Sequence, residues 1–75
     1  MAVFLDSVTP GIALGTADAN KLKTEIHTYV TGIPNFRAGN TVTWKDYKDP
    51  AGTKREVRFT VVSIGNDIHV NLTKY

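Results

Sequence analysis

Thr41-Val42-Thr43-Trp44-Lys45-Asp46-Tyr47 opens the stretch that decides the fold, and Asp49-Pro50-Ala51-Gly52 follows almost at once. The first run is dominated by β-branched and aromatic residues, the types that fit a pleated, half-buried surface. The second supplies a type I turn: Asp49 takes a backbone N–H, Pro50 presets φ, and Gly52 comes fourth. Beyond it, Val57, Phe59 and Val61 alternate with Arg58 and Thr60, the period of a strand with one wet face. Gly65-Asn66-Asp67 makes a second turn, and Ile68, Val70 and Leu72 then alternate with His69, Asn71 and Thr73. These signals predict a three-stranded antiparallel meander, with strands near residues 41–47, 54–64 and 67–74. One irregularity interrupts it. Val62 and Ile64 have the opposite parity to Val61, which requires either a bulge near Val61–Val62 or burial on both faces there. Burial on both faces would need a second layer, from the N-terminal residues or from another subunit.

Working outward, Thr16 to Thr31 reads as one amphipathic helix. Leu22, Ile26, Tyr29 and Val30 fall on one stripe of a 3.6-residue period, while Lys21, Lys23, Glu25 and His27 point elsewhere. Thr16 or Asp18 is the expected cap, and Asp18 suits the positive end of the helix dipole. Gly32 suits a left-handed residue after the helix, and Pro34 prevents its continuation. The linker Pro34-Asn35-Phe36-Arg37-Ala38-Gly39-Asn40-Thr41-Val42 resembles the Pro-x-Phe-x-x-Gly-Asp-x-Val lead-in of SH3-like barrels, including one bacterial large-subunit ribosomal protein. The likeness covers nine residues, with Asn40 where that pattern has Asp. What it implies is a shared way of starting a first strand.

Residues 1–15 are rich in large apolar side chains: Met1, Val3, Phe4, Leu5, Val8, Ile12 and Leu14, broken by Pro10 and Gly11. Disordered tails have low hydrophobicity, so this segment is expected to be buried somewhere. Two readings remain open: a short edge strand over Val3–Leu5 with a packed loop, or an arm that docks on a neighbouring subunit. In the second, Val3, Phe4, Leu5, Val8, Ile12 and Leu14 form the interface. The expected fold is therefore α+β, one helix packed on a three-stranded antiparallel meander, preceded by an apolar arm or edge strand. Residues 16–75 make the single small domain.

A chain of 75 residues buries only about 60% of the surface its unfolded form exposes. Such a core supplies ~3–5 kcal/mol, so small proteins commonly add disulfides, a metal or a partner subunit. There is no cysteine for a disulfide or thiolate site, and His27 and His69 lack metal-ligand spacing. No cofactor or metal is expected. The first twenty residues carry Asp6 and Asp18 with no Lys or Arg, or −2; the remaining fifty-five carry nine basic and five acidic residues, or +4. The sheet-forming part thus has a modest positive field. No stretch approaches the ~20 apolar residues of a membrane span, and Met1 to Leu5 is too short for the apolar core of a signal peptide. The expected location is the cytoplasm or the interior of a virion.

For chemistry, no nucleophile stands with a base. Ser7 and Ser63 have no motif around them, His27 lies on the polar helix side, and His69 on the outer side of the last strand. The six glycines sit singly at breaks between elements, so there is no phosphate loop. The chain is not expected to be an enzyme. The outer sheet face is expected to carry Lys45, Tyr47, Arg58 and His69, basic and aromatic residues interleaved as in single-strand binders. Trp44 reads as core beside Tyr29. The function expected from these features is a non-enzymatic assembly subunit, a homo-oligomer or repeated component of a viral or phage particle, acting through protein–protein contacts. The alternatives are a nucleic-acid-binding module using the outer sheet face, and a small inhibitor that caps a partner's surface.

Overall fold

The computed structural model describes residues 1–75. The elements in chain order are β1 (Val3–Val8), α1 (Thr16–Thr31), β2 (Thr41–Lys48), β3 (Lys54–Ile64) and β4 (Ile68–Lys74). The class is α+β, with one helix and a four-stranded mixed sheet in the order β1-β4-β3-β2. The β2-β3-β4 meander is antiparallel as expected. The N-terminal segment completes it as a fourth strand, which runs parallel to β4. Parallel strands need a crossover, and α1 provides one. It returns the chain so that β2 runs in the same sense as β1; two further reversals leave β4 parallel to both.

Of the two readings of residues 1–15, the structure has the edge strand. Val3 is buried, Leu5, Ile12 and Leu14 pack half-buried against the core, and only Phe4 and Val8 of the six stay exposed. The strand is also longer than Val3–Leu5. Asp67 anchors its start: Ala2 N–H donates to the Asp67 carboxylate at 3.0 Å, and Ile68 N–H donates to the Ala2 carbonyl at 2.8 Å.

The helix buries Leu22, Ile26 and Val30 against the inner sheet face, where Val42, Val57, Phe59, Val61, Ile68, Val70 and Leu72 meet them. Its ends differ from expectation. Gly15 is the N-cap, and the Asp18 carboxylate reaches back to accept the Gly15 N–H at 3.3 Å, so neither Thr16 nor Asp18 occupies the cap itself. Gly32 remains right-handed at φ −80° and donates its N–H to Thr28. The left-handed residue comes later, at Asn35 (φ 61°). Phe36 N–H closes a turn onto the Ile33 carbonyl with Pro34 second and Asn35 third, the sequence pattern of a type II turn. Pro34 thus starts a turn as well as ending a helix.

The Asp49–Gly52 turn forms as read. Gly52 N–H donates to the Asp49 carbonyl at 2.9 Å, and Gly52 takes φ 86°. On β3 the parity change is a bulge. Val61 pairs with Val70 and Ser63 with His69, leaving Val62 as the extra residue. Val62 is exposed while Ile64 returns to the inner side, so this end of the strand needs no second layer. A second shift, between Trp44 and Tyr47 on β2, turns Tyr47 inward, 8% exposed. Tyr47 therefore belongs to the core and not to the outer face.

Candidate functional site

Because the single helix covers one face of the sheet, the other face is open. Counting from buried Val57, Phe59, Val70 and Leu72, the open face carries Arg58, Thr60, His69 and Asn71. Phe4 joins them from β1: its ring stacks on His69 with centroids 5.2 Å apart and planes at 24°. Phe4 and His69 are direct cross-strand partners in the parallel β1–β4 ladder. His69 Nδ1, at the edge of the ring, lies 3.0 Å from an Asp6 oxygen. Towards the other end, Glu56 meets Arg58 at 3.5 Å and Lys74 at 3.2 Å, and Arg58 Nε donates to Thr43. Thr41 and Thr60 hydroxyls share a hydrogen bond of 2.9 Å. The face thus has an aromatic end and a hydroxyl-rich end, with acids and bases on both.

Of the four residues expected on this face, Arg58 and His69 are there. The shift between Trp44 and Tyr47 turns Tyr47 inward, and Lys45, exposed at that shift, lines a cleft along the edge strand β2 together with Thr43, Trp44 and Asp46. Sequence reading placed Phe4 with the arm and missed its meeting with His69. Only the register between strands more than sixty residues apart brings the two together.

The cleft is about 550 Å³ and is walled by Glu25, Thr28 and Tyr29 from α1 and by residues 43–47 from β2. Tyr29 and Trp44 meet edge to face at 5.4 Å, and Trp44 stacks on Tyr47 at 5.8 Å with planes at 15°. Trp44 also meets Phe59 at 4.9 Å, which fixes it as part of the core beside Tyr29. Burial pushes the Tyr47 phenol up to about 12, with the Glu25, Asp18 and Asp49 carboxylates adding to the effect. Its hydroxyl is buried and has no hydrogen-bond partner. Asp46, on the same wall, pairs with Lys54 at 2.9 Å, and that bond holds its carboxyl below the usual range.

Beside the cleft lies a closed polar cluster. Asp49, the only buried charged residue, accepts Arg55 Nε and Thr53 N–H, each at 2.8 Å. The Arg55 guanidinium sits 4.7 Å from the Tyr75 ring centroid, and Tyr75 donates its hydroxyl to Asp18 at 2.8 Å. Asp49, Arg55, Asp18 and Tyr75 all engage one another or the backbone, so the cluster is structural. His27, Ser7 and Ser63 stand in no hydrogen bond of their own side chains to an acid or base that would activate them. No helix is long and apolar enough to cross a membrane. No family model, curated protein or solved structure matches the chain.

Proposed function

We propose that the chain is a non-enzymatic assembly subunit that acts through protein–protein contacts made by its open sheet face, as a homo-oligomer or a repeated part of a larger particle. One observation carries this reading. A four-stranded sheet has a helix on one face only, and the bare face exposes Phe4 (45%) with Val62 (47%) nearby on β3. The charges on that face are of both signs: Asp6 and Glu56 against Arg58 and Lys74. A patch with both signs can complement a second copy of itself across a two-fold axis. The apolar residues supply the contact that is removed from water, and the charges set register. Light scattering on the full chain and on a Phe4→Glu, Val62→Glu variant tests it. A defined oligomer that becomes a folded monomer on substitution supports the reading; a wild-type monomer at all concentrations sinks it.

The Phe4–His69 stack favours a second reading on the same surface. An exposed aromatic pair beside Asn71, with Arg58 farther along the same open sheet face, is a platform on which unstacked bases rest while a basic side chain meets phosphate. Fluorescence anisotropy with a labelled single-stranded oligonucleotide separates the two. Binding that weakens steeply with salt and is lost in Phe4→Ala would mark the face as nucleic-acid-binding.

A further inference from the structure

The free edge of the sheet at β1 is a surface separate from the open face. In the order β1-β4-β3-β2 both outer strands have an unpaired side, and the two are guarded unequally. The β2 edge is bulged and carries exposed Lys45, Asp46 and Lys48, devices that keep an edge from pairing with another chain. The β1 edge has no Lys, Arg or Pro from Val3 to Val8, and its one bulge, at Asp6, leaves Val3–Leu5 regular. The Ala2 carbonyl accepts the Ile68 N–H at the start of β4. Main-chain groups alternate sides along a strand, so Val3 and Leu5 direct their N–H and C=O away from β4, into the free edge.

A helix flank runs beside this edge. α1 packs over the β1 end of the sheet, and a groove of about 400 Å³ lies between them, lined by Met1, Ala2 and Val3 on one side and by Lys23, Thr24 and His27 on the other. No β4 residue lines it, which puts it on the free side of β1. The groove's two basic side chains, Lys23 and His27, are half-buried and stand in no ion pair or hydrogen bond. No acid lines the groove. Glu25 lies on the opposite helix flank, towards β2, while Asp6 is engaged by His69 and Asp18 by Tyr75 and Gly15. Four residues apart on one flank, Lys23 and His27 are separated by about 6 Å along the helix axis. Side chains at i and i+2 of a strand are about 6.6 Å apart.

We infer that the β1–α1 groove binds an extended acidic segment of a partner protein, added as a strand beside β1. Its backbone pairs with the free N–H and C=O groups of Val3 and Leu5. Its side chains alternate, so an acid-x-acid pair on the helix side meets Lys23 and His27, whose spacing it matches. Lys23 gives a charge-assisted hydrogen bond, and the His27 ring has an N–H to donate in either protonation state. A second copy of the chain is a poorer occupant. Antiparallel two-fold pairing of β1 with β1 sets the basic helix flanks of both copies along one seam, where like charges repel.

The full chain is titrated with a fluorescein-labelled, capped Ser-Val-Glu-Val-Asp-Val-Ser peptide, against the neutral Ser-Val-Gln-Val-Asn-Val-Ser peptide at the same ionic strength. Saturable anisotropy is expected with the acidic peptide, and binding about tenfold weaker with the neutral one. In NMR, amide shifts are expected at Val3, Leu5 and residues 23–27. Hydrogen exchange is expected to slow at the Val3 and Leu5 amides and to stay unchanged at Thr43 and Lys45 on the β2 edge. A Lys23→Gln, His27→Gln variant, its folding checked by circular dichroism, is expected to bind the acidic peptide about tenfold more weakly. No saturable binding, equal affinity for the two peptides, or unchanged affinity in the folded variant overturns the inference. So do shifts confined to the helix with no protection at Val3 and Leu5, which mark charge attraction without strand pairing. Protection of those amides that grows with protein concentration in the absence of peptide gives the edge to a second copy, and overturns it as well.

Discussion

The Tyr75 hydroxyl donates to the Asp18 carboxylate at 2.8 Å, tying the end of β4 to the first turn of α1. Asp18 also accepts the Gly15 N–H through its other oxygen, so one carboxylate closes the helix start and anchors the sheet. Burial and this bond together push the Tyr75 phenol well above its ordinary value. Removing the hydroxyl leaves Asp18 with a single partner. Tyr75→Phe is expected to destabilise the fold by about 1–2 kcal/mol, the range for a bond to a charged acceptor, measured by urea unfolding.

Tyr47→Phe should behave in the opposite way, although the same atom is removed. The Tyr47 hydroxyl has no partner to lose, so the variant is expected to match the wild type or exceed it by up to about 1 kcal/mol. The phenol is held up to about 12, chiefly by burial. Since its folded value lies above that of the unfolded chain, it contributes stability that is complete at neutral pH. That stability disappears as pH rises from about 10, the unfolded value, towards 12. Absorbance titration of phenolate is expected to show a late step that Tyr47→Phe lacks.

Acid sensitivity should trace to Asp49. The Arg55 guanidinium, with the Thr53 N–H, holds its carboxyl below the usual range. A depressed folded value means the stabilisation is present above the unfolded value of about 3.9 and is lost as pH falls below it. Melting temperature measured from pH 7 to pH 2 is expected to drop at the acid end, with a smaller drop in Asp49→Asn. An unchanged acid limb in that variant would place the sensitivity elsewhere, with the exposed Asp46–Lys54 pair as the next choice.

Neighbouring valines on β3 offer a contrast that depends wholly on the bulge. Val61 is fully buried and Val62 is 47% exposed. Val61→Asp places an unpaired charge in the core and is expected to unfold a domain whose total stability is ~3–5 kcal/mol. Val62→Asp should change stability by less than about 0.5 kcal/mol in the monomer. If both unfold the chain in thermal scans, the register of β3 against β4 is wrong.

What could be read from residues alone were the features encoded over a few positions. The helix stripe Leu22, Ile26, Val30, the Asp49–Gly52 turn, and the inward sets on β3 and β4 each depend on local propensity and a repeating period. Those signals carry class and element order, so α+β with a helix before a meander was legible. The cap and the left-handed position were misplaced by a few residues, because Gly15 with Asp18, and Pro34 with Asn35, satisfied the same backbone needs in another way.

Only the tertiary structure decided the rest. A strand's alternation predicts faces until a bulge intervenes, and where the bulge falls is settled by packing against neighbouring strands. That is why Tyr47 turned from the open face into the core, and why Val62 turned outward. The apolar content of residues 1–15 required burial but did not name the surface that would provide it. The crossover of α1 supplied that surface by leaving β4 parallel and unpaired on one side, so that β1 closed the sheet and set Phe4 on His69. Local chemistry determined the pieces of this protein; long-range register determined which of its side chains meet.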